Sequence, residues 1–251
     1  MMKRMFKIGW LVLVVGLVAL MVGYLNHGDR DVDFHNGRPQ VQRQASWRLT
    51  NRRFDKVNLD VTTANVRIKR GAAFRVSYHG LTKNKPLVVK KGQTLVIKQS
   101  TSSGGFFFNV NGFDDQLTIT LPRDAQITGG TIKLGSGDLD VDGVDLTNTK
   151  IDVASGDVDL TNLVLNGGQA ELNSGDFTAH QLRVNGYYRV NNDSGDNEVH
   201  TAGIDGYRLQ TTSGDNAVNG RDRDQDTVED NMTANNTLEL ITQSGDNEFD
   251  N

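Results

Sequence analysis

Ser-Gly-Asp recurs six times in the second half of this 251-residue chain, and its spacing constrains the fold more than any other feature. The copies are Ser136-Gly137-Asp138, Ser155-Gly156-Asp157, Ser174-Gly175-Asp176, Ser194-Gly195-Asp196, Ser213-Gly214-Asp215 and Ser244-Gly245-Asp246. Successive serines lie 19, 19, 20, 19 and 31 residues apart, and the excess in the last interval is the polar stretch RDRDQDTVEDNM, 221–232. A fixed period broken by one insertion is the pattern of a repeat array in which one coil carries a loop.

Apolar columns follow when positions are counted from each Asp. Six residues before it stand Ile132, Ile151, Ala170, Val190, Leu209 and Leu240; three after it stand Val141, Leu160, Ala179, Val199, Val218 and Phe249. Eight after it, in the first four copies, stand Leu146, Leu165, Val184 and Ile204. The residues between are Asp, Lys, Thr and Arg, so each copy reads as strand, SGD turn, strand and second turn with one apolar face. A unit this short cannot cover its own apolar face, whereas stacked copies cover one another. The expected fold is therefore all-β, a β-solenoid-like stack of parallel strands about 4.8 Å apart. A meander folded into a sandwich satisfies the same pattern and stays open.

Residues 57–68, VNLDVTTANVRI, fit the template as a degenerate copy, with Thr63-Ala64-Asn65 at the turn. That substitution favours a structural role for the triplet. Gly permits a tight corner, and Ser, Asp or Asn accept nearby backbone N–H groups. A nucleophilic serine would need one copy with its own base, and six near-equal copies argue against that. The chain also lacks cysteine, which excludes disulfides, thiolate metal sites, a catalytic thiol and a lipidated cysteine.

The remaining chain divides by composition. Residues 8–25, IGWLVLVVGLVALMVGYL, carry no charge and follow Lys3, Arg4 and Lys7. A helix of that length spans about 27 Å, near the thickness of a bilayer core. Residues 1–25 are thus expected to form a cytoplasmic N-terminus and an uncleaved transmembrane signal anchor, with the bulk outside. Residues 26–46 read as a polar stalk. Residues 47–251 read as an extracellular β-repeat domain, with 47–123 a basic strand region and 124–251 the acidic SGD repeats. Residues 1–123 hold 20 Lys and Arg against 7 acidic residues, a net +13; the remainder holds 7 against 24, a net −17. Such a split points to two ends that attract different partners.

Several side-chain groups are candidates for more than packing. In a parallel stack the SGD aspartates form a column of like charges, each pair repelling by about 1 kcal/mol in water. Either backbone N–H groups offset them or cations such as calcium lie between coils. The last three copies carry Asn197, Asn216 and Asn247 where the first three carry Leu139, Val158 and Phe177, which predicts a ladder of paired amides. His180 and His200 share a column, as a solvent-facing polar row or as a two-histidine pair. Phe106, Phe107, Phe108 and Phe113 lie among Gly and Asn, as a hairpin packed on the sheet or as an exposed aromatic tip. Lys83, Lys85, Lys90 and Lys91 complete the candidate surface-binding set.

The apolar N-terminal segment, the alternating strands ending in LTITLP (117–122) and the repeats shaped x-L-x-x-x-SGD-x-x-L resemble the bacterial putative-adhesin family that includes LiaG. The resemblance covers about residues 47–251. It implies a β-repeat protein of the cell envelope, in some cases encoded beside envelope-stress regulators, with no established catalytic residues. The Asn-bearing late copies and the loop 221–232 depart from it.

Taken together, these features point to a non-enzymatic, membrane-anchored envelope protein of a Gram-positive cell that acts in adhesion or envelope-stress sensing. Its basic half would meet anionic lipid or a wall polymer. An assembly scaffold is the alternative, pairing with a membrane protein or a second copy at an open edge of the sixth coil. A polysaccharide-active β-helix enzyme is disfavoured by the scattered basic residues of the repeat half. No cofactor and no nucleic acid are expected.

Overall fold

The computed structural model describes residues 10, 13–18, 21, 32–35, 38–41, 44–100, 115–201 and 203–251. Most of the expected anchor, and all of Phe106, Phe107, Phe108 and Phe113, lie outside the described residues. Residues 10, 13–18 and 21 are helical. Among the described residues no helix is long and apolar enough to cross a membrane.

The chain forms two compact units, one of residues 1–43 with 103–113 and one of residues 44–102 with 114–251. The first contains a hairpin, Val32–His35 antiparallel to Arg38–Val41, inside the segment read as a polar stalk. Its signal was local: alternation at Val32 and Phe34, then Asn36-Gly37, a dipeptide that suits a two-residue hairpin connection.

The second unit is a stack of parallel coils. Each coil gives one strand to each of two walls, and the SGD corner joins them. In the first SGD coil Gly130–Leu134 lies in one wall and Leu139–Asp142 in the other. The second places Leu146–Val153 and Val158–Thr161 in register above them, Ile151 beside Ile132 and Leu160 beside Val141. The sandwich alternative is thereby excluded, because neighbouring coils pair in parallel across both walls. The degenerate copy takes the same place, with Leu59 beside Ile132 and Ile68 beside Val141.

Period-2 alternation builds the core directly. Ile97, Leu59, Ile132, Ile151, Ala170, Val190, Leu240 and Leu209 form one continuous inward column, each fully or almost fully buried. Burying a side chain of the larger kinds is worth about 1.5–3 kcal/mol, and several such columns run the length of the stack. No coil supplies this alone; each depends on its neighbours.

Stacking order departs from chain order at both ends. Strands Thr94–Lys98 and Gln116–Pro122 form the outermost coil at one end, beyond the degenerate copy that precedes them in sequence. At the other end the sixth SGD coil, Asn236–Ser244 and Asn247–Asp250, inserts between the fourth and the fifth. The sixth coil is therefore paired on both sides, and the open edge expected there does not exist. The physical reason is that Leu209 and Leu240 fit the same inward column equally well, so local pattern leaves the order undetermined.

Antiparallel strands close each end. Leu87–Lys91 pairs with Thr94–Lys98 in one wall; in the other, Arg75–Leu81 and then Gln44–Thr50 pair outward from Gln116–Pro122. At the far end the insertion 221–232 becomes a cap, with Thr227–Asp230 on Gly206–Ser213 and Asp222–Arg223 on Asn216–Val218.

Candidate functional site: the corner, the cleft and the two charged ends

At the SGD corner the chain reverses so tightly that only glycine fits. Gly156 has φ +132°, and a Cβ there would meet the Gly137 carbonyl oxygen at 2.3 Å. The Gly156 N–H in turn donates to the Ser174 carbonyl at 3.0 Å. Each Asp lends one carboxylate oxygen to the backbone N–H of the next Asp in the stack. Asp157 N–H donates to Asp138 Oδ1 at 3.1 Å, Asp176 to Asp157 at 2.9 Å, and Asp196 to Asp176 at 2.9 Å. The column continues in stacking order, Asp246 onto Asp196 and Asp215 onto Asp246, both at 2.8 Å. Asn65 starts it by accepting from Asp138 N–H at 3.0 Å, which explains how an amide replaces the acid there. Backbone dipoles thus face the charges whose repulsion the sequence exposed. Among the described residues no group of His, Asp or Glu is placed to hold a metal ion.

Inside the corner the early and late coils differ. Leu139, Val158 and Phe177 are buried and apolar in the first three. In the last three Asn197, Asn247 and Asn216 are equally buried and form the amide ladder. Asn197 Nδ2 donates to Asn247 Oδ1 at 2.8 Å, and Asn247 Nδ2 to Asn216 Oδ1 at 2.9 Å. A second column changes with it. Leu134, Val153 and Leu172 give way to Asn192, Thr242 and Thr211, which donate to the carbonyls of Gly175, Gly195 and Gly245.

The opposite edge carries a cleft of about 670 Å³ whose lining includes Asn162, Gln181, Arg183, His200 and Asp250 above Leu163 and Leu182. Asn162, Gln181 and Asn219 hold left-handed conformations, φ 54°, 53° and 52°. That amide-rich second turn is the sequence signal for this cleft. His180 and His200 stack with ring centres 5.1 Å apart. His200 also lies 2.6 Å from Glu198 and 3.0 Å from Asp250, bridging the fourth and sixth coils. The hydrogen bond to Glu198 holds its pKa above the usual histidine value, with Asp250 and Glu248 adding to the effect.

Charge is segregated along the stack. Arg67 and Lys69 of the degenerate copy face Asp140 and Asp142 of the next coil, and Arg67 pairs with Asp140 at 3.1 Å. Beyond that boundary burial and the neighbouring Asp140, Asp157 and Asp138 raise the Asp159 pKa. On the basic side Lys90 and Lys91 lie on the end strand Leu87–Lys91, and Lys83 lies in the short 3-10 turn Thr82–Asn84. Lys85 Nζ sits 5.3 Å from the Trp47 ring centre. The structure therefore brings the four lysines to one end of the stack, a full stack length from the acidic cap.

The model of the family described as Toastrack DUF4097 matches residues 54–129 and 123–248. The chain belongs to this family. Its Toastrack domain also superposes on a solved structure from Clostridium sporogenes named a "putative cell adhesion protein". The TM-score is 0.52 at 14% identity, over 83% of this chain and 99% of that one. A "putative lipid binding protein" from Parabacteroides distasonis gives 0.41 at 14% identity, over 82% and 96%. A "putative adhesin" from Bacteroides fragilis gives 0.34 at 15%, over 83% and 97%. The first likeness concerns the Toastrack fold; the other two superpose too loosely to add to it. No curated protein matches the chain.

Proposed function

We propose that this Toastrack protein is a non-enzymatic binding protein of the Gram-positive cell envelope, held by its apolar N-terminal segment. In this reading it acts in adhesion or envelope-stress sensing through its basic end. The observation that carries the proposal is the segregation of charge along a rigid stack. Lys83, Lys85, Lys90 and Lys91 gather at the end nearest in sequence to the apolar segment, with Arg48, Arg75 and Lys98 on neighbouring strands. Clustered cations near a membrane favour anionic headgroups and phosphate-rich wall polymers, each contributing about 1 kcal/mol close to the surface. Adhesion is also the role named for the Clostridium sporogenes protein.

Co-sedimentation of residues 44–251 with anionic vesicles, zwitterionic vesicles, and wall sacculi with and without teichoic acid tests this. The expected result is binding to the anionic surfaces that weakens with salt. It should fall further when Lys83, Lys85, Lys90 and Lys91 are changed together to Glu. Absence of binding to every anionic surface at low salt overturns the proposal.

A further inference from the structure

The two ends of the stack differ in charge, and both are covered by antiparallel strands rather than left as a bare coil. The acidic end adds one strand to each wall; the basic end adds one to the wall of Thr94–Lys98 and two to the other. In one wall the terminal strands are Leu87–Lys91 and Thr227–Asp230, and among the described residues each is paired on one side only. An unpaired strand edge is a template for further pairing, and like charges along it are a common protection. Lys90 and Lys91 repel a second copy of their own edge. Asp222, Asp224, Asp226 and Asp230 outnumber Arg221 and Arg223 in the acidic cap and repel a second copy of it, while Glu229 is paired with Arg208 at 2.6 Å. Neither set of charges hinders the unlike pair.

Direction and length are compatible as well. Both terminal strands run opposite to the coil strands they cover. Two copies stacked in the same orientation would therefore bring Leu87–Lys91 alongside Thr227–Asp230 in parallel, the arrangement used throughout the interior of the wall. The strands are five and four residues long. Leu87 and Val89 are 67% and 41% exposed on the basic strand, apolar surface that a neighbour would shelter.

We propose that the basic end of one copy docks on the acidic end of a second, extending the stack head to tail. Such a contact is heterologous, so it adds copies in one direction instead of closing a dimer. It does not rest on the surface-binding reading, although anionic surfaces and a second copy compete for the same lysines.

Sedimentation velocity of the full chain in neutral detergent tests this, with three samples in which the apolar segment is unchanged. The natural chain should form larger species as concentration rises at low salt. Its apparent Kd should weaken about tenfold or more near 1 M salt, where the screening length falls to about 3 Å. Lys90→Glu/Lys91→Glu alone and Asp224→Lys/Asp230→Lys alone should each stay a single small species, because each sets like charges along the two strand edges that would pair. An equimolar mixture of the two should associate again. Circular dichroism and Tm confirm that both variants keep the fold. A natural chain that stays one small species at every concentration overturns the proposal. So does association by either variant alone, or a mixture that stays unassociated.

Discussion

The first three SGD corners and the last three have the same backbone and opposite interiors. In the early coils Leu134 and Leu139, Val153 and Val158, Leu172 and Phe177 line the corner. In the late coils the equivalent pairs are Asn192 and Asn197, Thr242 and Asn247, Thr211 and Asn216, each bonded to the coil beside it. The change coincides with the place where stacking order leaves chain order. Apolar columns accept any neighbour of suitable size, so in the early coils connectivity alone sets the order. An amide between two amides has defined partners, and a misordered stack leaves buried donors and acceptors unmet. The polar corner therefore trades some hydrophobic stabilisation for a unique order. Glu239 serves the same end outside the wall: nearly buried in the sixth coil, it pairs with Arg189 of the fourth at 3.6 Å and Arg208 of the fifth at 3.3 Å.

The largest expected effect falls on what both halves share. A Cβ at Gly175, φ +125°, would lie 2.1 Å from the Gly156 carbonyl oxygen. Gly175→Ala should destabilise by about 3–5 kcal/mol in urea unfolding. Gly92→Ala, also left-handed but with open space around it, should cost about 1–2 kcal/mol. Equal losses at the two sites would mean that conformational strain, and not the close approach of coils, requires the corner glycine.

Next in size is the ladder itself. Asn247 is its middle member and also donates to the Gln210 carbonyl at 3.0 Å. Asn247→Ala should cost about 3 kcal/mol, because the amides of Asn197 and Asn216 and the Gln210 carbonyl all lose a partner. Changing Asn197, Asn247 and Asn216 together to Leu removes both sides of the two amide–amide bonds and leaves the carbonyls of Gln210, Gln225 and Asp226 without these donors, so it should cost less than the sum of the three single changes to Ala. The same triple variant should show more than one set of backbone amide resonances for residues 206–250. A single set would mean that the ladder does not specify coil order.

The smallest effect concerns His200. Its pKa is raised in the folded chain, so its contribution is fully present below the unfolded value of about 6.5 and is lost as pH rises through the folded value. Tm should therefore decline as pH rises through the range just above 6.5, and His200→Asn should flatten that decline. An unchanged profile in the variant would remove the bridge between the fourth and sixth coils from the account.

Much of the fold was legible because burial in a stack repeats with the turn. The columns at Ile132, Val141 and Leu146 and their equivalents are all inside, and Thr63-Ala64-Asn65 marks a coil as surely as its SGD counterparts. The ladder was legible too, since three amides replaced three apolar residues at one position. The order of the fifth and sixth coils was not. Parallel neighbours are chosen by contacts across coils, and Thr211, Thr242, Leu209 and Leu240 suit either place when each copy is viewed alone. The cap at 221–232 was hidden for a related reason: its strands are too short and too charged to show a period, and Val228 alone turns toward the core, beside Leu209. The cleft around His200 was missed because its lining comes from the second turns of several coils, and the amides Asn162, Gln181 and Asn219 come together only once the coils are stacked.

The interposed sixth coil has a consequence for how the molecule is made. A ribosome delivers residues 206–218 before 236–250, yet the later segment ends up inside the earlier one. Addition to a growing end suffices through Thr201 and then fails, because the fifth coil has no lasting neighbour until the residues beyond its cap have emerged. Coils five and six and the hairpin between them must close together, as one late event after the whole segment has emerged. A ribosome that paused before residue 236 would hold a stack with an unfinished acidic end.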